Sequence, residues 1–212
     1  IPEENYKAEK KTRKNLLFVN PCLTKGALFV IQLAIYLEQH RPDIHFEVVE
    51  SRGKWEELFK QVSKQLGYKK EHLSNVTITA TVNDMKPIYA RAKLLLVPSM
   101  CWESGARVIT EALLNGIPVI GSNRGGIPEF VGKGGIVINF PPKMHEAPYN
   151  QVSTVSLISA VAKMIMQLYD DQTLYNSYVQ KAIQSYKEQS DINKNTLKLS
   201  DILNQVIKKG CQ

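Results

Sequence analysis

Residues 98–129 read PSMCWESGARVITEALLNGIPVIGSNRGGIPE. This stretch follows a mostly apolar run at residues 93–97, which is typical of a strand buried on both faces of a parallel sheet. Pro98 ends that strand, and Gly116 ends an amphipathic helix predicted over residues 104–115. The loop between strand and helix lies at the carboxyl end of the strand, where open α/β sheets bind ligands. A ligand site is therefore expected at this loop.

The rest of the chain alternates strands with helices as far as residue 138 and is helical beyond a proline-interrupted loop. The predicted strands are residues 16–20, 45–49, 76–80, 93–97, 118–121 and 136–138. The predicted helices are residues 25–39, 55–66, 85–92, 104–115, a short one from 127, and then 152–169, 171–187 and 191–208. This order indicates βαβ units in an α/β fold. We predict one Rossmann-like parallel sheet of about six strands with flanking helices and a helical C-terminal segment.

Composition places the chain among ordinary globular proteins. Of its 212 residues, 43% are hydrophobic and 22% are charged, and no apolar run approaches the ~20 residues that span a bilayer. The net charge of +7 is spread along the chain without a nucleic-acid motif, and the three cysteines are scattered. We therefore expect a cytoplasmic protein without nucleic acid, metal or cofactor, with peripheral membrane contact as an open alternative. Because the chain opens Ile-Pro-Glu-Glu, we expect it to be a piece of something longer.

Two glutamates, Glu103 and Glu111, are eight residues apart in this segment. Along a helix that spacing is about 12 Å, so the two carboxylates would reach different parts of an extended ligand. A carboxylate accepts two hydroxyl hydrogen bonds and suits a sugar diol, while free amides at residues 104–106 would suit a diphosphate. The alternative is a solvated ladder, because Glu103, Arg107 and Glu111 have i,i+4 spacing.

The whole segment resembles the pattern of family 4 glycosyltransferases of the GT-B fold: Pro-Ser, Glu-x7-Glu-Ala, Gly-x-Pro-Val and Gly-Gly-x-x-Glu. The resemblance implies the C-terminal, donor-binding half of such an enzyme. It further implies a nucleotide-diphosphate sugar as donor and transfer of the sugar, with retention and without a metal, to a hydroxyl of a glycan, lipid or protein. We accordingly predict a linker or tail over residues 1–14, the nucleotide-sugar-binding domain over 15–190, and a C-terminal helix and tail over 191–212. The N-terminal GT-B domain would be a partner that is absent from this chain.

The resemblance also assigns roles to individual residues. Glu103 takes the catalytic position and Glu111 the position that binds the donor ribose. Further donor-binding positions are Asn20, Lys25, Thr81, Val82, Ser104, Gly105, Ala106 and Arg107. Thr81 and Val82 stand where backbone atoms meet the nucleobase, although the same residues also suit a plain strand-to-helix connection.

The sequence departs from the family pattern at two places. The turn after the first strand usually reads Gly-Arg-x4-Lys-Gly; Lys25 matches its lysine, but Asn20 replaces its arginine. Asparagine donates hydrogen bonds to phosphate without neutralising it, so another residue, such as Arg107, would supply the charge, or the donor would be less charged. Gly105 and Ala106 replace the usual Phe-Gly. Two other functions stay open: a nucleotide-sugar epimerase of the same fold, and a non-catalytic nucleotide-sugar-binding or assembly subunit.

Overall fold

The computed structural model of the chain describes residues 1–9 and 11–210 and, in the last helix, leaves out the side chains at 192, 194 and 208–210. The strands are β1 (Asn15–Val19), β2 (Phe46–Val49), β3 (Val76–Thr79), β4 (Ala92–Val97), β5 (Val119–Ser122) and β6 (Gly135–Ile138). The helices are α1 (Ala27–His40), α2 (Trp55–Leu66), α3 (Lys86–Arg91), α4 (Arg107–Leu114), α5 (Ile127–Val131), α6 (Val155–Asp170), α7 (Gln172–Gln189) and α8 (Ile192–Gly210). Residues 211–212 of the predicted tail lie outside the described residues.

Within the described residues the six strands form one parallel sheet in the order β3-β2-β1-β4-β5-β6. The prediction of a six-stranded Rossmann-like sheet is confirmed. The central strands β1 and β4 pair in register at Leu16 with Leu94 and at Phe18 with Leu96, and every residue of β4 is buried. Such runs are apolar because helices cover both faces of the sheet.

Two apolar cores lie on the two faces of the sheet. One joins the sheet to α1, α2 and α6, and the other joins it to α3, α4, α5 and the second half of α7. The helices that follow β1 and β4 thus lie on opposite faces of the sheet. Reversal of the strand order between β1 and β4 creates the crevice in which open α/β sheets bind ligands.

A buried glutamate on α1 holds the loop between α2 and β3 in place. Glu38, near the end of α1, accepts hydrogen bonds from Tyr68, from Lys70 and from both the backbone and the side chain of Ser74. Burial opposes ionisation of Glu38, but these hydrogen bonds outweigh it and lower the pKa of its carboxyl to about 2. The loop between α2 and β3 is thereby fastened to α1.

The two ends of the chain differ in how they contact the domain. The N-terminal segment, predicted to be a linker, packs on the end of α4, where Asn115 Oδ1 accepts from Ala8 N at 2.8 Å and Arg13 donates to the carbonyl of Gly116 at 3.1 Å. Helix α8 exposes the apolar side chains Leu197, Leu199, Ile202, Leu203, Val206 and Ile207. In the described part of the chain, no helix combines the length and apolarity needed to cross a membrane. The division into domains itself stays a prediction.

Candidate functional site

A cavity of about 230 Å³ opens at the carboxyl ends of β1 and β4, where the strand order reverses. Its lining comprises Phe18, Val19, Asn20, Lys25, Leu96, Val97, Ser99, Glu103, Gly105, Ala106, Arg107 and Val108. Two connections contribute most of the polar groups: the turn between β1 and α1, and the loop between β4 and α4. Six of the residues predicted to bind the donor or act in catalysis therefore meet in one cavity.

The two connections approach each other closely because of Gly26. This residue has φ 80°, and a Cβ atom on it would lie 2.0 Å from the carbonyl oxygen of Pro98. Glycine is required on both counts. The carbonyl of Thr24 then accepts from the backbone N–H groups of Met100 and Cys101 at 2.9 and 3.1 Å. These contacts fix the turn before α1 against the loop after β4.

Lys25 and Glu103 form an ion pair at the point where the two connections meet. The Glu103 side chain is 13% exposed, and its Oε1 also accepts from the hydroxyl of Ser99 at 3.0 Å. Ser99 is buried, and its carbonyl accepts from the hydroxyl of Ser122 at 2.7 Å on the next strand. The cation and the carboxylate are therefore held at the cavity wall by fixed neighbours.

The prediction that the helix after β4 begins at residue 104 is wrong. Helix α4 begins at Arg107, with Ala106 as its N-cap. The carbonyl of Glu103 accepts from Gly126 N at 2.7 Å instead of from its own helix, and a Cβ on Gly126 would lie 2.5 Å from the carbonyl oxygen of Ser104. Docking of the Gly125-Gly126 turn keeps residues 103–105 in a loop, so Glu103 precedes the helix while Glu111 lies within it.

The loop path also determines which of residues 104–106 reach the cavity. Gly105 and Ala106 line the cavity, whereas Ser104 is exposed outside the lining. A Cβ on Gly105 would lie 2.7 Å from the ring of Phe130, so a side chain at this position would require that ring to move. The free N–H groups at the start of α4 belong to Arg107 and Val108, both of which line the cavity.

Glu111 lies behind the cavity wall and is 4% exposed. Its Oε1 is 2.9 Å from Nε of Arg107, and its Oε2 accepts from the hydroxyl of Tyr89 on α3. Burial and the negative charge of Glu111 raise the pKa of Tyr89 well above its usual value, so the hydroxyl remains a donor. The i,i+4 ladder thus exists between Arg107 and Glu111 only, since Glu103 pairs with Lys25.

Asn20 uses its side chain to hold a neighbouring loop. It has φ 63°, a left-handed conformation that asparagine tolerates, and its Oδ1 accepts from the backbone N–H groups of Arg52 and Gly53, both at 3.1 Å. A Cβ on Gly53 would lie 1.9 Å from the carbonyl oxygen of Pro21, so the loop after β2 presses directly on this turn. Only the NH₂ group of Asn20 remains to donate to a ligand.

Thr81 and Val82 lie outside the cavity lining, beyond the edge strand β3. The hydroxyl of Thr81 donates to the carbonyl of Glu50 at 3.1 Å, and Val82 is half-buried against the core that contains α4. Their contact with a nucleobase stays a prediction.

Sequence reasoning missed Ser99 and Tyr89. Ser99 belongs to the Pro-Ser pair of the family pattern, and that pair was the available signal. Tyr89 is 22 residues from Glu111, and no local pattern links them.

The family model for glycosyl transferases group 1 matches residues 2–185. Among curated proteins, spore coat protein SA of Bacillus subtilis (strain 168) is 28% identical over 134 residues, which cover 60% of this chain and 35% of that protein. The chain thus spans about a third of the length of this relative.

Solved structures share the fold at low identity. TarM superposes with a TM-score of 0.71 at 17% identity over 94% of this chain and 37% of its own. HepE of Anabaena, in a structure with UDP and glucose, gives a TM-score of 0.67 at 20% identity over 97% of this chain and 55% of its own. The C-terminal domain of a glycosyl transferase group 1 protein (LpcC) from Francisella tularensis gives 0.65 at 16% identity, covering 91% of this chain and 99% of that domain. The fold is that of a C-terminal GT-B domain, and the chain belongs to the family of glycosyl transferases group 1.

Proposed function

We propose that this chain is the donor-binding half of a retaining, family 4-like glycosyltransferase. It holds a nucleotide-diphosphate sugar for transfer of the sugar to a hydroxyl acceptor. The observation that carries this proposal is the convergence of Lys25, Glu103 and the start of α4 on one cavity between β1 and β4. A cation, a carboxylate and free backbone amides are the groups that a diphosphate linked to a polyol requires.

The diphosphate binds between Lys25 and the first amides of α4. Those amides have no acceptor within the helix, and the helix dipole adds partial positive charge at this end. During transfer the diphosphate departs with increasing negative charge, so the same groups stabilise the transition state. No metal ion is needed for this role.

The two glutamates bind hydroxyl groups of the donor. Glu103 is fixed by Ser99 and Lys25 at the cavity wall, where the donor sugar follows the diphosphate. Glu111 carries one hydrogen-bond partner on each oxygen and keeps acceptor capacity for the ribose diol, which reaches this buried carboxylate once the exposed Arg107 side chain moves aside. Thr81 and Val82 are the proposed backbone contacts of the base.

A non-catalytic nucleotide-sugar-binding subunit is the second candidate. It is favoured by the absence of excess positive charge among the site residues. Lys25 pairs with Glu103 and Arg107 pairs with Glu111, and Asn20 replaces the family's arginine. A binding subunit can function with a weaker hold on the diphosphate than an enzyme that must stabilise its departure.

The decisive experiment measures binding first and transfer second. Calorimetry with UDP-, GDP-, ADP- and TDP-sugars identifies the donor, and UDP is tested first because the similar protein HepE was solved with UDP and glucose. The matching donor is then incubated with a mixture of hydroxyl acceptors, with and without an N-terminal GT-B half. We expect binding by this chain alone and transfer only with both halves, because orienting both reactants contributes about 7 to 11 kcal/mol.

Each outcome separates the candidates. Sugar transfer that retains the anomeric configuration, once the N-terminal half is added, supports the retaining glycosyltransferase. Binding without transfer in either arm supports the binding subunit. Absence of binding to every nucleotide sugar contradicts both, and full-rate transfer by the 212 residues alone contradicts the assignment as a half.

A further inference from the structure

Trp102 is an exposed aromatic residue in the loop that contributes Glu103 to the cavity. It immediately precedes Glu103 in the loop after β4, and 70% of it is exposed. Every phenylalanine of the described chain is buried or half-buried, and the other tryptophan, Trp55, is 3% exposed. Its indole offers a broad apolar surface to a ligand held near Glu103.

One face of the Trp102 ring is covered by Arg124. The guanidinium carbon of Arg124 lies 5.3 Å from the ring centroid, a cation–π distance. Arg124 follows β5, and its loop is joined to the loop of Trp102 because Gly126 N donates to the carbonyl of Glu103 at 2.7 Å. Because 70% of Trp102 is exposed, much of the indole remains accessible to a ligand.

Arg124 also lacks an acidic partner. Four of the six arginines bind carboxylate or carbonyl oxygens: Arg13, Arg41, Arg91 and Arg107. In the described part of the chain, Arg52 and Arg124 have no such partner, and Nε of Arg124 is buried without a hydrogen bond. Arg124 as a whole is half-buried, so the terminal N–H groups of its guanidinium keep their donors for an anionic ligand.

The backbone around Arg124 is held in position. The neighbouring Asn123 exchanges hydrogen bonds with the backbone of Phe140 at 3.2 and 3.3 Å, and its Oδ1 is 3.1 Å from Nε2 of His145. His145 Nδ1 in turn lies 3.1 Å from the carbonyl of Met100, in the loop that carries Trp102. The ring and the guanidinium are thus presented by two loops that are fastened to each other.

We propose that Trp102 and Arg124 form a subsite for an anionic sugar of the acceptor. The apolar C–H face of the pyranose packs on the exposed part of the indole, and the carboxylate or phosphate of the sugar binds the guanidinium edge. Planar guanidinium groups match such anions by paired N–H donors. The inference deepens the proposed function: it rests on the donor sugar lying at Glu103, the next residue along the chain.

Quenching of tryptophan fluorescence by acrylamide tests the subsite in the unmodified chain. Trp55 is buried and therefore shielded from acrylamide. The quenching that acrylamide causes thus reports the accessibility of Trp102. Methyl α-glucuronoside and methyl α-glucoside form a matched pair that differs in charge, and glucose 6-phosphate supplies the phosphate arm. We expect both anionic sugars to protect Trp102 and to bind about five- to tenfold more tightly than the neutral glucoside.

Two variants of the arginine separate charge from structure. Arg124→Gln is expected to remove the preference for the anionic sugars, while Arg124→Lys, which keeps the charge, retains part of it. Trp102→Ala is expected to abolish binding of all three probes in calorimetry, and Trp102→Phe to restore part of it. Protection by the uronoside alone would identify a carboxylate sugar, and protection by the phosphate alone a phosphorylated one.

The inference is overturned if the glucuronoside, the phosphate and the glucoside protect Trp102 equally. It is also overturned if Arg124→Gln and Arg124→Lys behave alike. Nucleoside diphosphate binding is measured on the same samples. If the chain binds nucleoside diphosphate but does not prefer the anionic sugars over the glucoside, only the subsite is refuted. If the unmodified chain binds no nucleoside diphosphate, the proposed function is refuted.

Discussion

Replacement of Glu111 by glutamine tests the proposed ribose contact. Each oxygen of the Glu111 carboxylate already has one partner, Arg107 or Tyr89, and keeps acceptor capacity for a ligand hydroxyl. A hydrogen bond to a charged acceptor contributes about 1.5 to 3 kcal/mol. Glu111→Gln is therefore expected to weaken binding of the matching nucleoside diphosphate by about 10- to 150-fold.

The fold should tolerate this change. The Arg107 side chain is 72% exposed, so its ion pair with Glu111 contributes only about 0.2 to 1 kcal/mol to the free energy of unfolding. The amide oxygen of glutamine can still accept from the Tyr89 hydroxyl. We expect the melting temperature to fall by no more than about 4 °C for a domain of this size.

The assay compares two nucleotides on two variants. Calorimetry measures the affinity for the ribonucleoside diphosphate and for its 2′-deoxy analogue. The unmodified chain should prefer the ribonucleotide, and Glu111→Gln should lose that preference. Glu47→Gln is the matched control, because Glu47 is a buried carboxylate that pairs with Arg91 away from the cavity lining. It should lower stability without changing the preference.

A clear result would refute the reasoning. If Glu111→Gln binds both nucleotides more weakly by the same factor, or retains the preference for the ribonucleotide, then Glu111 serves the fold through Tyr89 and Arg107. The ribose would then be held elsewhere.

Three further predictions follow from the site and the core. Lys25→Ala should weaken binding of the nucleoside diphosphate by about 10- to 100-fold and leave the bare nucleoside unaffected, with exposed Lys60→Ala as control. Asn20→Ala should lower the free energy of unfolding in urea by about 1 to 3 kcal/mol, because two backbone N–H groups lose their acceptor at a left-handed residue. Glu38→Gln should cost about 3 kcal/mol at pH 7, and the difference from the unmodified chain should vanish as pH falls from about 4.5 to 2. The sign follows from the lowered pKa, since an ionised Glu38 stabilises the fold only above it.

The fold was predictable because local patterns and tertiary structure agree along most of the chain. Helix α2 has the predicted bounds, 55–66, since Gly67 in the left-handed conformation ends it. The start of α4 was not predictable from the same rules. It depends on the Gly125-Gly126 turn, which comes 22 residues after Glu103 and captures its carbonyl. Local propensity is overridden there by a contact from the next strand-to-helix connection.

In the candidate site, too, some features were predictable from the sequence and others were not. Lys25 and Glu103 each follow a buried parallel strand, so their convergence at one edge of the sheet follows from sequence and topology. The partners that orient the site residues come from other elements: Tyr89 from α3 for Glu111, and the loop of Arg52 for Asn20. Such pairs depend on how helices and loops pack, which no spacing along the chain encodes.

The charges of the cavity show what a bound diphosphate must change. Lys25 neutralises Glu103, and Arg107 neutralises Glu111. Under the proposed function a diphosphate adds at least two negative charges to this balance, so we expect Lys25 to turn from Glu103 to phosphate and the freed carboxylate to accept sugar hydroxyls instead. The same ligand supplies both new partners, and neither group is left buried without one. On this proposal the ion pair keeps both groups in place until the donor binds, and we expect ligands that join a phosphate to a polyol to bind more tightly than those that carry only one of the two.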